Sequence, residues 1–127
     1  MAKELYKTKI GDEKYSFSVG NYGQERDLIC TEPERQIFEI VLEMAGELLL
    51  DPEVLRLTRV SDNYVSIVMD STKGYGTMDV ARFKYTNRAK WIKYGPRFKK
   101  TDIEVPDDVR EYPEELVAAY RANEPYL

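Results

Sequence analysis

The sequence predicts an α+β fold: a single domain over residues 1–127 with a mainly antiparallel sheet of about five or six strands, one long helix packed on it and a shorter C-terminal helix. Three observations carry this. Thr31 to Leu50 holds apolar residues at three- and four-residue steps, the period of a helix that buries one face. Four short alternating segments joined by turns follow one another from Val54 to Tyr94, the pattern of an antiparallel meander. The length of 127 residues, 43 % of them hydrophobic and 12 % aromatic, suits one core and is short for two.

Taken in order, Tyr6, Thr8 and Ile10 alternate with lysines, and Tyr15, Phe17 and Val19 resume the pattern after Gly11-Asp12-Glu13-Lys14, which predicts two strands around a turn. Asn21 to Arg26 is expected to be a polar loop. Cys30 is the lone cysteine and reads as a small apolar residue rather than a reactive thiol. The helix start at Thr31 has capping-box spacing to Glu34, with Pro33 and two acids suited to the first turn. Its inner face is Ile37, Ile40, Val41, Met44, Ala45 and Leu48, and Asp51-Pro52 ends it. Glu39, Glu43 and Glu47 form an acidic ridge, expected to lack basic partners in register and to be a solvated face.

The meander comprises Val54–Val60, a Ser61-Asp62-Asn63 turn, Tyr64–Met69, the glycine-bearing connection Ser71–Gly76, a strand up to Tyr85 and its return from Ala89 to Tyr94. Gly95-Pro96 stops the last strand, because proline supplies no ladder donor. Pro113-Glu114-Glu115 opens the C-terminal helix, with Leu116, Val117 and Tyr120 on its inner face.

Charge is unevenly spread. Val80 to Lys100 contains eight Lys and Arg, no acid and five aromatics, while the chain as a whole is −4 and acidic elsewhere. If Thr86-Asn87-Arg88 is an odd-length turn, Ala81, Phe83 and Tyr85 face Lys93, Trp91 and Ala89 on one side, and Arg82 and Lys84 lie beside Lys90 and Ile92 on the other. A two-residue turn pairs Phe83 with Ile92 but Trp91 with Lys84 and mixes the faces, so the odd register is preferred. The aromatics then join the core, and the opposite face becomes a basic strip. The candidate binding residues are Arg82, Lys84, Arg88, Lys90, Lys93 and Arg97 for charge, with Tyr94 and Phe98 as apolar anchors near the rim.

Histidine is absent, which excludes a histidine triad, a histidine-containing zinc site and imidazole acid–base work, and a single cysteine excludes a thiolate cluster within one chain. Ser71-Thr72-Lys73-Gly74 lacks the upstream glycine of a phosphate loop and reads as a strand connection. Asp70 and Asp79 flank it and, with Lys84, are the material for a metal-dependent nuclease centre, although their spacing is that of ordinary strand-end acids. No apolar run approaches the length of a membrane span and the N-terminal residues do not read as a signal peptide, so a cytoplasmic location is expected.

The function favoured at this level is a non-enzymatic binding module that engages an acidic macromolecule through the basic hairpin, with an acidic protein surface or a homodimer partner preferred. No catalytic residue, metal, small-molecule cofactor or membrane is implied. The alternative is a single-stranded DNA- or RNA-binding accessory protein, as in nucleic-acid defence or counter-defence, which requires Trp91 or Tyr94 to be exposed. A nuclease, and an acidic mimic of nucleic-acid phosphate, stand behind these two.

Overall fold

The long helix forms where local chemistry dictates. Thr31 adopts an extended conformation, its Oγ1 accepts from the Glu34 amide (3.3 Å), and Glu34 Oε1 accepts from the Thr31 amide (2.9 Å), so two of the donors a helix start leaves unpaired are satisfied reciprocally. The chain is described here by a computed structural model, covering residues 3–4, 15–21, 24–61 and 64–127, with side chains for 31–58 and 64–127. The helix, α1, spans Glu32–Glu47. It stops before the expected boundary at Asp51-Pro52. The amides of Leu49 and Leu50 donate to the carbonyls of Gly46 (3.2 Å) and Ala45 (2.8 Å), closing the last turn in a Schellman arrangement.

Ahead of α1 lie β1 (Lys3–Glu4), β2 (Tyr15–Asn21) and β3 (Gln24–Cys30), ordered β1-β3-β2, with β1 parallel and β2 antiparallel to β3. The expected loop from Asn21 to Arg26 is therefore corrected: Asn21 ends one strand, and Gln24, Glu25 and Arg26 open the next, paired with Asn21, Gly20 and Val19. The expected strand at Tyr6 to Ile10 and the Gly11–Lys14 turn fall outside the described residues, as do positions 62 and 63 of the turn after Ser61.

After α1 the chain builds a five-stranded antiparallel meander: β4 (Leu55–Ser61), β5 (Tyr64–Asp70), β6 (Thr77–Tyr85), β7 (Lys90–Tyr94) and β8 (Lys99–Asp102), in that spatial order. Two details differ from expectation. Val54 belongs to a short 3-10 turn, Pro52–Val54, capped by Asp51 Oδ1 accepting from Glu53 N (3.0 Å), and the fifth strand β8 follows the Gly95-Pro96 stop. The β5–β6 connection needs left-handed backbone at Gly74 (φ 90°) and Gly76 (φ 78°), which glycine adopts without steric cost. In the β7–β8 turn, a Cβ on Gly95 would come within 2.9 Å of the Phe98 ring, so glycine there admits that ring.

One face of the meander is covered. Leu57, Val65, Ile67, Phe83 and Ile92 meet Ile37, Val41 and Ala45 of α1 together with Leu116 and Ala119 of α2 (Pro113–Asn123), and all are 2 % exposed or less. Full burial of aliphatic and aromatic side chains of this size is worth about 1.5–3 kcal/mol each, which is what fixes both helices to this side. Tyr120 Oη accepts from the Asp51 amide (3.3 Å), and Asn123 Nδ2 donates to the Asp79 carbonyl (2.9 Å), so α2 locks the helix exit to the central strand. Near β4, which β2 and β3 contact, the opposite face is also closed: Arg56, Thr58, Ser66 and Val68 are buried. Across β6, β7 and β8 that face carries half-buried Arg82, Lys84, Trp91 and Lys93 with exposed Lys100 and Asp102, and among the described residues no helix packs over it, so it is the open face. Among the described residues no helix is long and apolar enough to cross a membrane.

Candidate functional site

The open face is set by the β6–β7 turn. Thr86 N donates to the Ala89 carbonyl (2.9 Å), and Thr86 Oγ1 accepts from the amides of Arg88 (3.2 Å) and Ala89 (3.0 Å). The hydroxyl thereby substitutes for backbone partners at the tip and selects an even-length turn. The resulting register pairs Ala81 with Tyr94, Phe83 with Ile92, Lys84 with Trp91 and Tyr85 with Lys90. This overturns the odd register expected from the sequence. A one-residue slip moves every side chain to the other face, so Trp91 leaves the core side while Lys90, Ile92 and Tyr94 join it.

Two transverse rows now cross the open face. One runs Arg82, Lys93, Lys100 from β6 to β8, continuing the buried Ser66 of β5, and beside it lie Lys84, Trp91 and Asp102. Within a row neighbouring strands are about 4.8 Å apart, and the two rows are about 6.8 Å apart along the strands. Trp91 is half-buried, with Lys93 Nζ 5.0 Å from its ring centroid. Arg82 is held in place: its Nε contacts Asp79 Oδ2 at 2.6 Å, and its guanidinium lies 4.4 Å from the Phe98 ring centroid and 5.6 Å from that of Tyr64. It acts as the hub of a small aromatic cluster, while Lys84, Lys93 and Lys100 carry the remaining positive charge. These four cations against Asp79 and Asp102 leave the face locally positive in a chain of net charge −4.

Compared with protein-family models, curated proteins and solved structures, the chain matches none.

The remaining candidates are distributed as follows. Arg88 and Arg97 are exposed in the turns at the two ends of β7, so they border the face without lying on it. Lys90 points to the helix side, its Nζ 5.0 Å from the Tyr85 ring, whose hydroxyl donates to the Glu104 carbonyl (2.9 Å). Lys90 is thus separated from Lys84 and Lys93. Tyr94 is no rim anchor: it is 7 % exposed within the core, and its hydroxyl has no hydrogen-bond partner among the described residues. Burial, with the Glu115 carboxylate and Tyr112 nearby, pushes the Tyr94 phenol well above its ordinary pKa. Phe98 does sit at the rim, half-buried under Arg82, with a positive φ of 52°.

Asp70 and Asp79 are each taken by a guanidinium. Arg56 grips Asp70 through Nε–Oδ2 (2.5 Å) and Nη2–Oδ1 (2.9 Å), Thr77 Oγ1 donates to the same carboxylate (3.0 Å), and Asp79 holds Arg82. Among the described residues no group of three or more His, Cys, Asp or Glu is arranged to hold a metal. The acidic ridge of α1 is also corrected: Arg35 bridges Glu32 and Glu39, and Arg110 reaches Glu43 through both terminal nitrogens (3.3 Å each). Lys100 closes the basic stretch read from the sequence, but its strand escaped, because four edge residues show no apolar alternation. Tyr64 escaped altogether and is recognisable only once Val65 is known to point inward.

Proposed function

We propose that this protein is a cytoplasmic, non-enzymatic binding module that takes single-stranded DNA or RNA across the open face of β6, β7 and β8. The observation that carries the proposal is the hairpin register, which sets Trp91 among Lys84, Lys93 and Lys100 instead of in the core. Lysines neutralise phosphates, and an indole offers a stacking surface to any unpaired base, so the combination suits a flexible strand whose bases can be turned inward. A duplex hides its base faces and gains only the charge term. The protein's net negative charge opposes long-range attraction, so affinity rests on local contacts and falls steeply with salt.

Labelled single strands and duplex of equal length, titrated at two salt concentrations while Trp91 emission is followed, test this directly. Single strands are expected to bind and quench the tryptophan. Trp91→Ala is expected to weaken single-strand binding by roughly tenfold to a hundredfold, the range of one lost stacking contact. Replacing both Lys84 and Lys93 by Gln is expected to lower the slope of log affinity against log salt by about 1.4, or 0.7 per phosphate contact. Absence of binding at low salt, or binding indifferent to all three substitutions, rejects the proposal.

A second reading, an acidic protein partner on the same face, is favoured by Lys84, Lys93 and Lys100, whose ammonium groups pair with carboxylates as readily as with phosphates. It requires the lysine substitutions to weaken a protein complex while oligonucleotides leave Trp91 emission unchanged.

A further inference from the structure

On the far side of the molecule from the open face, the end of α1 carries a residue that its own fold does not explain. Leu49 sits at the position just past the helix cap, with φ 61°, and its side chain is 90 % exposed. This is the left-handed site where a Schellman turn normally takes glycine, because a Cβ there is strained. Leucine gains nothing from it within one chain: the backbone is unfavourable, and the apolar side chain stays in water. Leu50, the next residue, is buried and supplies the apolar contact that the turn needs. The strained leucine is surplus to the turn.

Next to it is a matching hollow. Met44, Leu48 and Pro113 line an open depression of about 200 Å³, with Glu47 and Arg110 also in its wall. An apolar cavity of about 150 Å³ accepts a molecule the size of benzene, so a leucine side chain fits. Knob and hollow lie side by side on one surface, and the hollow carries one acid and one base. Such a patch complements itself under a two-fold rotation, where residue i meets j and j meets i.

We infer that the chain forms a two-fold homodimer in which Leu49 of each copy enters the Met44–Leu48–Pro113 hollow of the other and Glu47 meets Arg110 across the axis. Arg110 already holds Glu43 and Asp107, so its fork is oriented before association, while Glu47 makes no ion pair among the described residues.

Sedimentation equilibrium over roughly two decades of concentration around the micromolar range tests the dimer. Wild type is expected to pass from monomer to dimer. Leu49→Gly is expected to remain monomeric with an unchanged or raised melting temperature, which separates loss of association from loss of folding. Glu47→Arg and Arg110→Glu are each expected to be monomeric alone, through like charges across the axis, and to dimerise when mixed, since the mixed pair restores both contacts. A wild type that stays monomeric throughout, a Leu49→Gly chain that dimerises as well as wild type, or charge variants that fail to associate on mixing each overturn the inference. The first of these outcomes leaves the leucine to a different protein.

Discussion

Tyr94 illustrates how far a single side chain can depart from its sequence context. It stands in a basic, aromatic-rich segment, yet its ring fills the core and its hydroxyl is buried without a partner among the described residues. Burial first, then Glu115 and Tyr112, raise its folded pKa above the ordinary value of 10.0. The unfolded chain therefore loses this proton at lower pH than the folded one. The stability linked to Tyr94 is fully present below about pH 10 and falls as pH rises beyond it, by up to about 1.4 kcal/mol per unit. Tyr94→Phe is expected to flatten that alkaline decline and to hold or raise stability near neutrality by up to about 1 kcal/mol, because an unsatisfied polar atom leaves the core. Urea midpoints at pH 7 and above 10 measure both effects. Composition could not reveal this position: whether a tyrosine in an alternating strand faces core or solvent depends on one residue of register.

Among the elements, the contrast between α1 and the β6–β7 hairpin explains which features were legible. The helix start, its capping box and the Ile37, Val41, Ala45 stripe are local: each depends on residues within four positions of one another, and all were recognisable in the sequence. Thr31→Ala is expected to cost about 1 kcal/mol, seen as a lower urea midpoint at unchanged slope. The hairpin register depends on the hydroxyl of Thr86, which can serve turns of either length, and the apolar pattern alone favoured the wrong one. The strand Gln24–Cys30 was hidden because its first half is polar, and β8 because four residues, Lys99-Lys100-Thr101-Asp102, show no alternation. The partner of Glu43 was equally out of reach, since Arg110 is 67 residues away, whereas Arg35 lies four residues before Glu39 and was within reach of a spacing argument.

At the scale of the whole molecule, the two surfaces lie on opposite sides of the core: a basic, aromatic face on the exposed side of the sheet and an apolar, mixed-charge patch at the end of the helix layer. A dimer through the second carries two copies of the first. A strand long enough to reach both faces gains the effective-concentration advantage of two linked sites, while a strand that covers one face does not. Lengthening an oligonucleotide is therefore expected to tighten binding to wild type by more than site counting allows, and Leu49→Gly is expected to remove that excess without changing affinity for the short strand. Equal length dependence in both proteins separates the face from the dimer: the face survives and the coupling does not.

The edge at β8 has a further consequence. A meander that ends in open backbone offers its outermost amides and carbonyls to any other extended chain, and such edges are where sheets add strands without limit. Here the outermost strand is only four residues long and holds two exposed lysines and an exposed aspartate. Two copies brought edge to edge would bury like charges for very few hydrogen bonds. The same lysine-rich strand that places Lys100 on the open face therefore also makes edge-to-edge pairing unfavourable, so removing its charge is expected to promote self-association through this edge.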